Sequence, residues 1–258
     1  MKKQFLNLSE KTAFVLGGSG LIGSAVVRKL NYLGCKVVNL DVKKPLFNIK
    51  NFHKFDYTKK DISKTYKKIV KRFGLPDIFI NCSYPKTKDW VENSFRNIKI
   101  SSLKKNIDNQ LVSSSFLIRE VAEVNKNKKK KCNIVMLGSI YGLVGQDQNI
   151  YKGTNTSENL TYSIVKGGIT NLTRQMGSYY SRHGIRVNNV CPGGVFDSSI
   201  SKKNKKYINL VKNYSKRSPM NRMASPDEIA DPIIFLASDQ SSYISGSSLV
   251  VDGGWTSI

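Results

Sequence analysis

Histidine and cysteine are scarce in this chain of 258 residues, and the shortage excludes whole classes of site. Its two histidines and four cysteines include no C-x-x-C pair, so we expect no zinc or other metal site. Four separate thiols are typical of a reducing compartment, which predicts a cytoplasmic protein. No secretory signal follows the basic first residues, and the most apolar window, 13–27, is too short and too rich in glycine to span a membrane.

Acidic residues are also few, 18 against 42 lysines and arginines, so the formal net charge is +24. A surplus of this size is compatible with nucleic-acid binding. The lysines are scattered, however, apart from the run at 128–131, and Lys, Asn and Ile are abundant together. We interpret the charge mainly as composition bias or a solvated surface, with attraction of an anionic substrate or an acidic partner protein as the alternative. We expect no specific nucleic-acid partner and no membrane partner.

Short apolar runs alternate with longer amphipathic stretches along the whole chain. This alternation predicts an α/β fold in which a parallel sheet is covered by helices. Strands are predicted at 13–16, 36–40, 52–55, 77–80, 133–137, 186–190 and 248–251. No repeat or linker interrupts the pattern, so residues 1–258 are expected to form a single dinucleotide-binding catalytic domain. A polar, lysine-rich segment around 195–220 is predicted to be a mobile substrate lid, and Ser225, Pro226 and Glu228 predict a capped helix to about Ser238.

A glycine-rich loop follows the first predicted strand and leads directly into an apolar helix. Gly17, Gly20 and Gly23 provide a tight turn, a close backbone approach to a pyrophosphate, and close helix–strand packing. The pyrophosphate would lie at the helix N-terminus, where unpaired N–H groups favour anions. The candidate contacts in the loop are therefore the three glycines together with Ser19, Leu21 and Ile22.

The second predicted strand ends in Asp41, eighteen residues beyond Gly23. A carboxylate at this position can accept hydrogen bonds from the adenosine ribose hydroxyls and would repel the 2′-phosphate of NADP. The sequence therefore favours NAD as the cofactor. Lys43 and Lys44 follow at once and leave NADP possible.

Tyr162 and Lys166 are four residues apart in a predicted helix and so share one face. A phenol has a pKa of about 10, and a nearby ammonium is expected to lower it toward a value that suits proton exchange with an alcohol or carbonyl oxygen. Ser139 follows the fifth predicted strand, at the sheet edge where open α/β folds bind ligands. Its hydroxyl is expected to hydrogen-bond the same substrate oxygen.

The order of these pieces resembles the short-chain dehydrogenase/reductase family over essentially the whole chain. The matching segments are the glycine loop, Ser139-Ile140-Tyr141-Gly142, Tyr162-Ser163-Ile164-Val165-Lys166, Cys191-Pro192-Gly193-Gly194, and Gly246 with Val251-Asp252-Gly253-Gly254. The resemblance implies a Rossmann-type, doubly wound sheet of seven parallel strands with helices on both faces, in three layers. It also implies a Ser-Tyr-Lys triad with Tyr162 as acid/base, and a lysine that holds the nicotinamide ribose.

Further positions follow from the same resemblance. It implies a helix asparagine in a proton relay, for which Asn109 is the candidate and Asn106 the alternative one turn away. The residues implied to contact the cofactor elsewhere are Asp56 and Tyr57, then Asn81, Cys82 and Ser83 in place of the family's Asn-Asn-Ala-Gly, and Pro192, Gly193 and Val195 at the nicotinamide. Two positions depart from the family pattern: Leu16 replaces a Thr, and Phe196-Asp197 stands where a Thr is usual.

Two spacings point to a substrate class. The glycines recur three and three apart, as in the nucleotide-sugar branch of the family, and Ser139 and Tyr162 are 23 residues apart, more than in the common reductases. The intervening polar loop resembles that of dehydrogenases from bacterial sialic-acid-like sugar and flagellin-glycan pathways. A sugar derivative, anionic or polyhydroxylated, is therefore the expected substrate. The candidate substrate residues are Ser139, Tyr141, Gln148, Tyr151, Tyr162 and Gly194.

Other functions stay open at this point. A 3-oxoacyl-carrier-protein reductase would use the basic surface to meet an acidic carrier. A non-catalytic NAD-binding scaffold or nucleic-acid binder is the alternative of another class. The family resemblance also implies a homotetramer or homodimer built on the helices around 106–124 and 163–182 and on the last strand.

Overall fold

Seven parallel strands form a single sheet in the computed structural model, which describes Leu6 and residues 8–59, 61–200 and 204–258. The strand order is β3-β2-β1-β4-β5-β6-β7, so the chain crosses from one half of the sheet to the other between β3 and β4. The strands are β1 Thr12–Leu16, β2 Lys36–Asp41, β3 Phe52–Lys54, β4 Ile78–Asn81, β5 Cys132–Leu137, β6 Ile185–Pro192 and β7 Ser248–Val251. Each predicted strand overlaps one of them, and the predicted Rossmann-type α/β fold is confirmed.

Helices cover both faces of this sheet. They are α1 Leu21–Tyr32, α2 Ile62–Phe73, α3 Ile100–Ile107, α4 Ser113–Asn127, α5 Leu160–Tyr180, α6 Lys205–Arg217 and α7 Pro226–Ala237. A π-helical turn at Asp108–Val112 joins α3 to α4. No helix in the described ranges has both the length and the apolarity needed to cross a bilayer.

The sheet is buried on both sides because its strands are apolar at successive positions. In β1, Phe14 and Leu16 belong to the core beneath α2, α4 and α5, whereas Ala13 and Val15 belong to the core beneath α1 and α7. All four side chains are at most 1% exposed. Continuous apolar runs of this kind are typical of parallel strands covered by helices on two faces.

Helix α7 begins with the predicted capping box. The Ser225 hydroxyl accepts a hydrogen bond from the Glu228 N–H, and the Glu228 carboxylate accepts one from the Ser225 N–H. The helix ends at Ala237, one residue before the predicted end.

The segment predicted to be a mobile lid contains an ordered helix in its described part, while residues 201–203 lie outside the described residues. Tyr214 of α6 is buried and stacks on Trp255, with ring centroids 4.4 Å apart. Asn213 donates hydrogen bonds to the carbonyls of Ile150 and Lys152. Helix α6 is therefore packed against the loop that precedes α5 and against the C-terminal residues, which the polar composition of the segment did not indicate.

Candidate active site

A cleft of about 740 Å³ opens at the carboxyl ends of the central strands. Parallel strands bring these ends to one edge, and the reversal of strand order between β1 and β4 leaves room for a ligand there. The cleft brings together fifteen of the residues predicted to contact the cofactor: Gly17, Ser19, Gly20, Leu21, Ile22, Asp41, Asp56, Tyr57, Cys82, Ser83, Tyr162, Lys166, Pro192, Gly193 and Val195.

The glycine loop fits its predicted role because its backbone is crowded. A Cβ at Gly23 would lie 2.1 Å from the Gly17 carbonyl oxygen, so α1 can approach β1 only with glycine at this position. Gly23 packs against the backbone of Gly17 and Gly18 and does not line the cleft. Helix α1 starts at Leu21 after Gly20, and no side chain caps its first N–H groups. These groups are available to an anion.

Asp41 is joined to the glycine loop by hydrogen bonds. One carboxylate oxygen accepts from the Ser19 N–H at 2.9 Å, and the other accepts from the Lys43 N–H at 3.0 Å. The Ser19 hydroxyl donates to the Lys43 carbonyl, and the buried amide of Asn39 donates to the Ser19 hydroxyl. This network holds the carboxylate at the cleft edge, and each oxygen keeps lone pairs for a further donor.

The next part of the cleft is formed by residues that follow β3 and β4. Asp56 accepts hydrogen bonds from the N–H and the hydroxyl of Thr58. Asn81 is buried and does not line the cleft, contrary to its predicted contact with the cofactor. Its amide accepts from the Ser83 N–H and donates to the Ser114 hydroxyl, so Asn81 ties the end of β4 to α4.

Tyr162 and Lys166 lie in the first two turns of α5, next to the end of β5. Asn159 caps this helix by accepting a hydrogen bond from the Tyr162 N–H at 2.9 Å. Lys166 is 5% exposed, and its Nζ donates to the Leu137 carbonyl at 2.8 Å. Ser139 follows two residues later; its hydroxyl accepts a hydrogen bond from the Tyr141 N–H at 3.1 Å and lies beside the Tyr162 side chain, whose pKa it lowers. The three predicted triad residues therefore lie together, and two of them, Tyr162 and Lys166, line the cleft.

The expected lowering of the Tyr162 pKa is not found. Burial raises this pKa above 10, the Ser139 hydrogen bond opposes the rise, and the Cys191 thiol adds to it. Burial also lowers the pKa of Lys166 to about 8. The prediction failed because it considered only the attraction between the two groups, whereas the fold buries Lys166 and leaves Tyr162 half-buried.

Asn106 and Asn109 have different surroundings. The Asn106 amide accepts from the Thr87 N–H and donates to the Thr87 hydroxyl and the Ser102 carbonyl. Asn109 lies in the π turn, and its buried Oδ1 has no hydrogen-bond partner among the described residues. The fully bonded Asn106 is thus a poor candidate for a relay, and Asn109 stays the candidate.

The predicted substrate residues do not all reach the cleft. Tyr141 packs edge-on against Tyr162, with centroids 6.4 Å apart, and the Tyr151 hydroxyl donates to Gln146. Gln148 is exposed at the start of a short 3₁₀ turn and does not line the cleft. Gln146 is instead the ordering residue of this loop, since its amide also donates to the Asn159 carbonyl and the Ser163 hydroxyl.

Gly194 contacts helix α6 and does not line the cleft. Its N–H donates to the Tyr214 hydroxyl at 2.6 Å, and a Cβ at Gly194 would lie within 3 Å of the Tyr214 ring. Tyr214 therefore packs directly on the turn whose Gly193 and Pro192 line the cleft.

Several residues that line the cleft were not predicted. They include Tyr84 and Pro85 after β4, and Leu137 and Gly138 at the end of β5. Tyr84 directly follows Asn81-Cys82-Ser83, so its place at the end of a predicted strand was the one available signal. Nothing local indicated that its ring would turn toward Tyr162.

Comparison with known proteins agrees with this geometry. A family model described as Enoyl-(Acyl carrier protein) reductase matches residues 19–256, which is most of the chain. The chain belongs to the short-chain dehydrogenase/reductase family. It is therefore an oxidoreductase, and a non-catalytic scaffold or nucleic-acid binder is not supported.

Other members of the short-chain dehydrogenase/reductase family resemble the chain over most of its length. Post-translational flagellin modification protein A from Campylobacter coli is 28% identical over 96% of this chain and 99% of its own. L-rhamnose 1-dehydrogenase (NAD(P)(+)) from Sphingomonas is 26% identical over 72% of this chain and 68% of its own. A short chain dehydrogenase from Leptospira borgpetersenii, solved with bound NAD+, is 29% identical, with a TM-score of 0.87 and coverage of 99% and 97%.

The crowding at the glycine loop predicts different effects for two alanine substitutions, a loss of stability for one and weaker binding of NADH for the other. Gly23→Ala forces a methyl group against the backbone and should lower the free energy of unfolding by about 1–3 kcal/mol. At Gly20 the new Cβ would lie 3.4 Å from the Gly17 carbonyl oxygen, so Gly20→Ala should fold normally and weaken binding of NADH. Urea unfolding and NADH fluorescence titration measure the two effects, and equal stability of both variants would contradict the account.

The buried ammonium of Lys166 predicts a stability that depends on pH. Its pKa falls from 10.5 to about 8 on folding, so the buried ammonium lowers the free energy of unfolding. This destabilisation is complete below pH 8, decreases as the pH rises from 8 to 10.5, and is absent above pH 10.5. In the ligand-free protein, Lys166→Met should therefore stabilise by about 1–3 kcal/mol at pH 7 and by much less at pH 10. Thermal melts at the two pH values test this, with Lys104→Met on the exposed side of α3 as the control. A gain that does not depend on pH would contradict the prediction.

Proposed function

We propose that this protein is an NAD-dependent oxidoreductase that moves a hydride between nicotinamide C4 and a hydroxyl- or keto-bearing carbon of a sugar derivative. The observation that carries the proposal is one continuous cleft that is lined by Asp41 at one end and by Tyr162 and Lys166 at the other, with Ser139 beside Tyr162. A dinucleotide that contacts both ends would have its pyrophosphate at the start of α1.

The preference for NAD over NADP rests on Asp41. The Ser19 and Lys43 N–H groups orient its carboxylate at the cleft edge, where it would accept hydrogen bonds from ribose hydroxyls and repel a 2′-phosphate. The side chain of Lys43 lies at the same edge and is the feature that would admit NADP. The NAD+ bound by the Leptospira relative supports the first choice.

The chemistry of the reaction follows from the positions of the triad. Bound NAD supplies the hydride acceptor in oxidation and the hydride donor in reduction. In oxidation, Tyr162 takes the proton of the substrate hydroxyl as the hydride leaves the carbon that bears this hydroxyl. In reduction, Tyr162 returns the proton to the oxygen. Ser139 holds the substrate oxygen beside the phenol, and Lys166, anchored on the Leu137 carbonyl, favours the phenolate and holds the nicotinamide ribose. Asn109, with its unpartnered Oδ1, is the proposed water-binding residue of the proton relay.

A sugar derivative is favoured as substrate by the loop between Ser139 and Tyr162. Gln146 orders this loop by accepting a hydrogen bond from the Tyr151 hydroxyl, and the Tyr141 ring packs edge-on against the Tyr162 ring. The rhamnose dehydrogenase and the flagellin modification protein among the relatives support the same class. Reduction of a 3-oxoacyl carrier protein is the second candidate. The description of the matching family model names an acyl carrier protein as the carrier of the substrate, and the chain is strongly basic.

We further propose a homotetramer or homodimer in the cytoplasm. Helices α3 to α5 expose apolar side chains, among them Ile100, Val112, Phe116, Ile164 and Tyr179, which a second copy would cover. The cytoplasmic location rests on the four cysteines, all of which are unpaired.

Removal of the Tyr162 hydroxyl tests the reaction. Tyr162→Phe should lower kcat for reduction by about 10²- to 10⁴-fold, because the carbonyl oxygen loses its proton donor, while NADH binding stays nearly unchanged. A panel of keto-sugars, sugar phosphates and an acetoacetyl thioester, followed by NADH absorbance, measures the loss. Turnover retained by Tyr162→Phe contradicts the assignment of this residue. Reduction of the thioester alone by the wild type would instead favour the carrier-protein reaction.

The role of Asp41 predicts a change in cofactor preference. Asp41→Asn removes the negative charge that opposes a 2′-phosphate and keeps the side-chain size. The ratio of the NADPH to the NADH dissociation constant should fall by about tenfold or more, equivalent to about 1.4 kcal/mol. Fluorescence titration with both nucleotides measures this ratio. An unchanged ratio would mean that Asp41 does not determine the preference.

A further inference from the structure

Tyr84 has a well-defined position beside the triad. It follows β4, lines the cleft, and is 40% exposed. Its ring meets the Tyr162 ring edge-to-face at 5.8 Å and the Trp90 ring at 5.4 Å. Trp90 is itself 8% exposed, and its carbonyl accepts a hydrogen bond from Asn159, the residue that caps α5. The Tyr84 ring is therefore braced against the same helix end that carries Tyr162.

The ammonium of Lys166 lies near the faces of two aromatic rings. Its Nζ is 5.6 Å from the Tyr84 ring centroid and 5.5 Å from the Tyr162 ring centroid. Both distances are within the range in which the ring quadrupole attracts a cation, and the attraction is strongest where water is excluded. Among the described residues no carboxylate forms an ion pair with Lys166.

The other groups that face Lys166 give its charge little support. Besides burial, the titratable side chains that act on its charge are Cys191 in β6 and Cys82, which directly follows β4. Burial raises the pKa of Cys82 to about 12 and also raises that of Cys191, so both thiols are neutral near pH 7. The remaining direct contact is the Leu137 carbonyl on β5. The rings of Tyr84 and Tyr162 are thus important sources of stabilisation for a charge that burial opposes.

We propose that Tyr84 is a positioning residue that keeps the catalytic lysine, Lys166, in its ammonium form by presenting a ring face to Nζ. The inference rests on the proposed roles of Tyr162 and Lys166. Without the Tyr84 ring, Lys166 loses its proton at lower pH, and the phenolate of Tyr162 loses the charge that favours it. Tyr84 thereby sets the upper pH limit of the reaction without touching the reacting atoms.

Lys86 provides a matched control on the same ring. Its Nζ lies 5.7 Å from the Tyr84 centroid, but Lys86 is exposed and does not line the cleft. Lys86→Gln removes a nearby charge and leaves the ring in place. It should therefore have little effect on Lys166, since an exposed charge is screened by water and salt.

The first experiment measures the protonation of Lys166 directly and needs no substrate. The full-length protein is labelled with trace acetic anhydride across a pH series, and mass spectrometry of the Lys166 peptide yields the pKa of its amine. Tyr84→Leu should lower this pKa by about 0.5–1 unit, the size expected for loss of one cation–π contact. Tyr84→Phe and Lys86→Gln should stay within about 0.3 unit of the wild type. An unchanged pKa in Tyr84→Leu overturns the inference, as does an equal fall in Tyr84→Phe.

Fluorinated phenylalanines at position 84 separate the ring charge from the ring shape. Successive fluorine atoms weaken the negative ring face and leave packing nearly intact, so the pKa of Lys166 should fall stepwise with their number. If the pKa of Lys166 does not change with the number of fluorine atoms, the inference is overturned, even if Tyr84→Leu folds poorly.

In active protein, the alkaline limit of kcat/KM should move to lower pH by the same amount in Tyr84→Leu. If no substrate of the panel is turned over, the proposed function fails, while the labelling result still decides the role of Tyr84.

Discussion

Every strand of the sheet runs in the same direction, and the site depends on this constraint. Parallel strands place all their carboxyl ends along one edge. The order reverses between β1 and β4, so the loops after these two strands diverge and leave a cleft between them. Residues from distant parts of the chain, Asp41 at the end of β2, Leu137 at the end of β5 and Pro192 at the end of β6, line this cleft without any local sequence relation.

The two ends of the cleft are built on different physical principles. At the Asp41 end, backbone N–H groups orient a charged, half-buried side chain at the edge of the cleft. At the Tyr162 end, the fold buries an ammonium and half-buries a phenol, which lowers the pKa of the first and raises that of the second. The first end is suited to selecting a ligand. The second is suited to proton transfer, since burial and aromatic neighbours determine how easily its groups gain or lose a proton.

Much of the fold and part of the site could be predicted from sequence because they depend on local patterns. Strands buried on two faces are continuous apolar runs, and the glycine loop needs glycine wherever backbones touch, as at Gly23. The features that escaped prediction depend on tertiary packing. The exposure of Gln148, the ordering role of Gln146, the contact of Tyr214 with Gly194 and the position of Tyr84 all involve residues brought together by the fold. The pKa of Tyr162 escaped prediction for the same reason, since burial cannot be judged from a four-residue spacing.

A crystal structure of the complex with NADH is the most direct test of the central claim, that this cleft holds a dinucleotide with its nicotinamide beside the triad. We expect the pyrophosphate at the first N–H groups of α1, the adenosine ribose on Asp41, and the nicotinamide ribose on Lys166 with C4 facing the Tyr162 hydroxyl. A dinucleotide bound elsewhere, or in the cleft with its nicotinamide away from Tyr162, would contradict it.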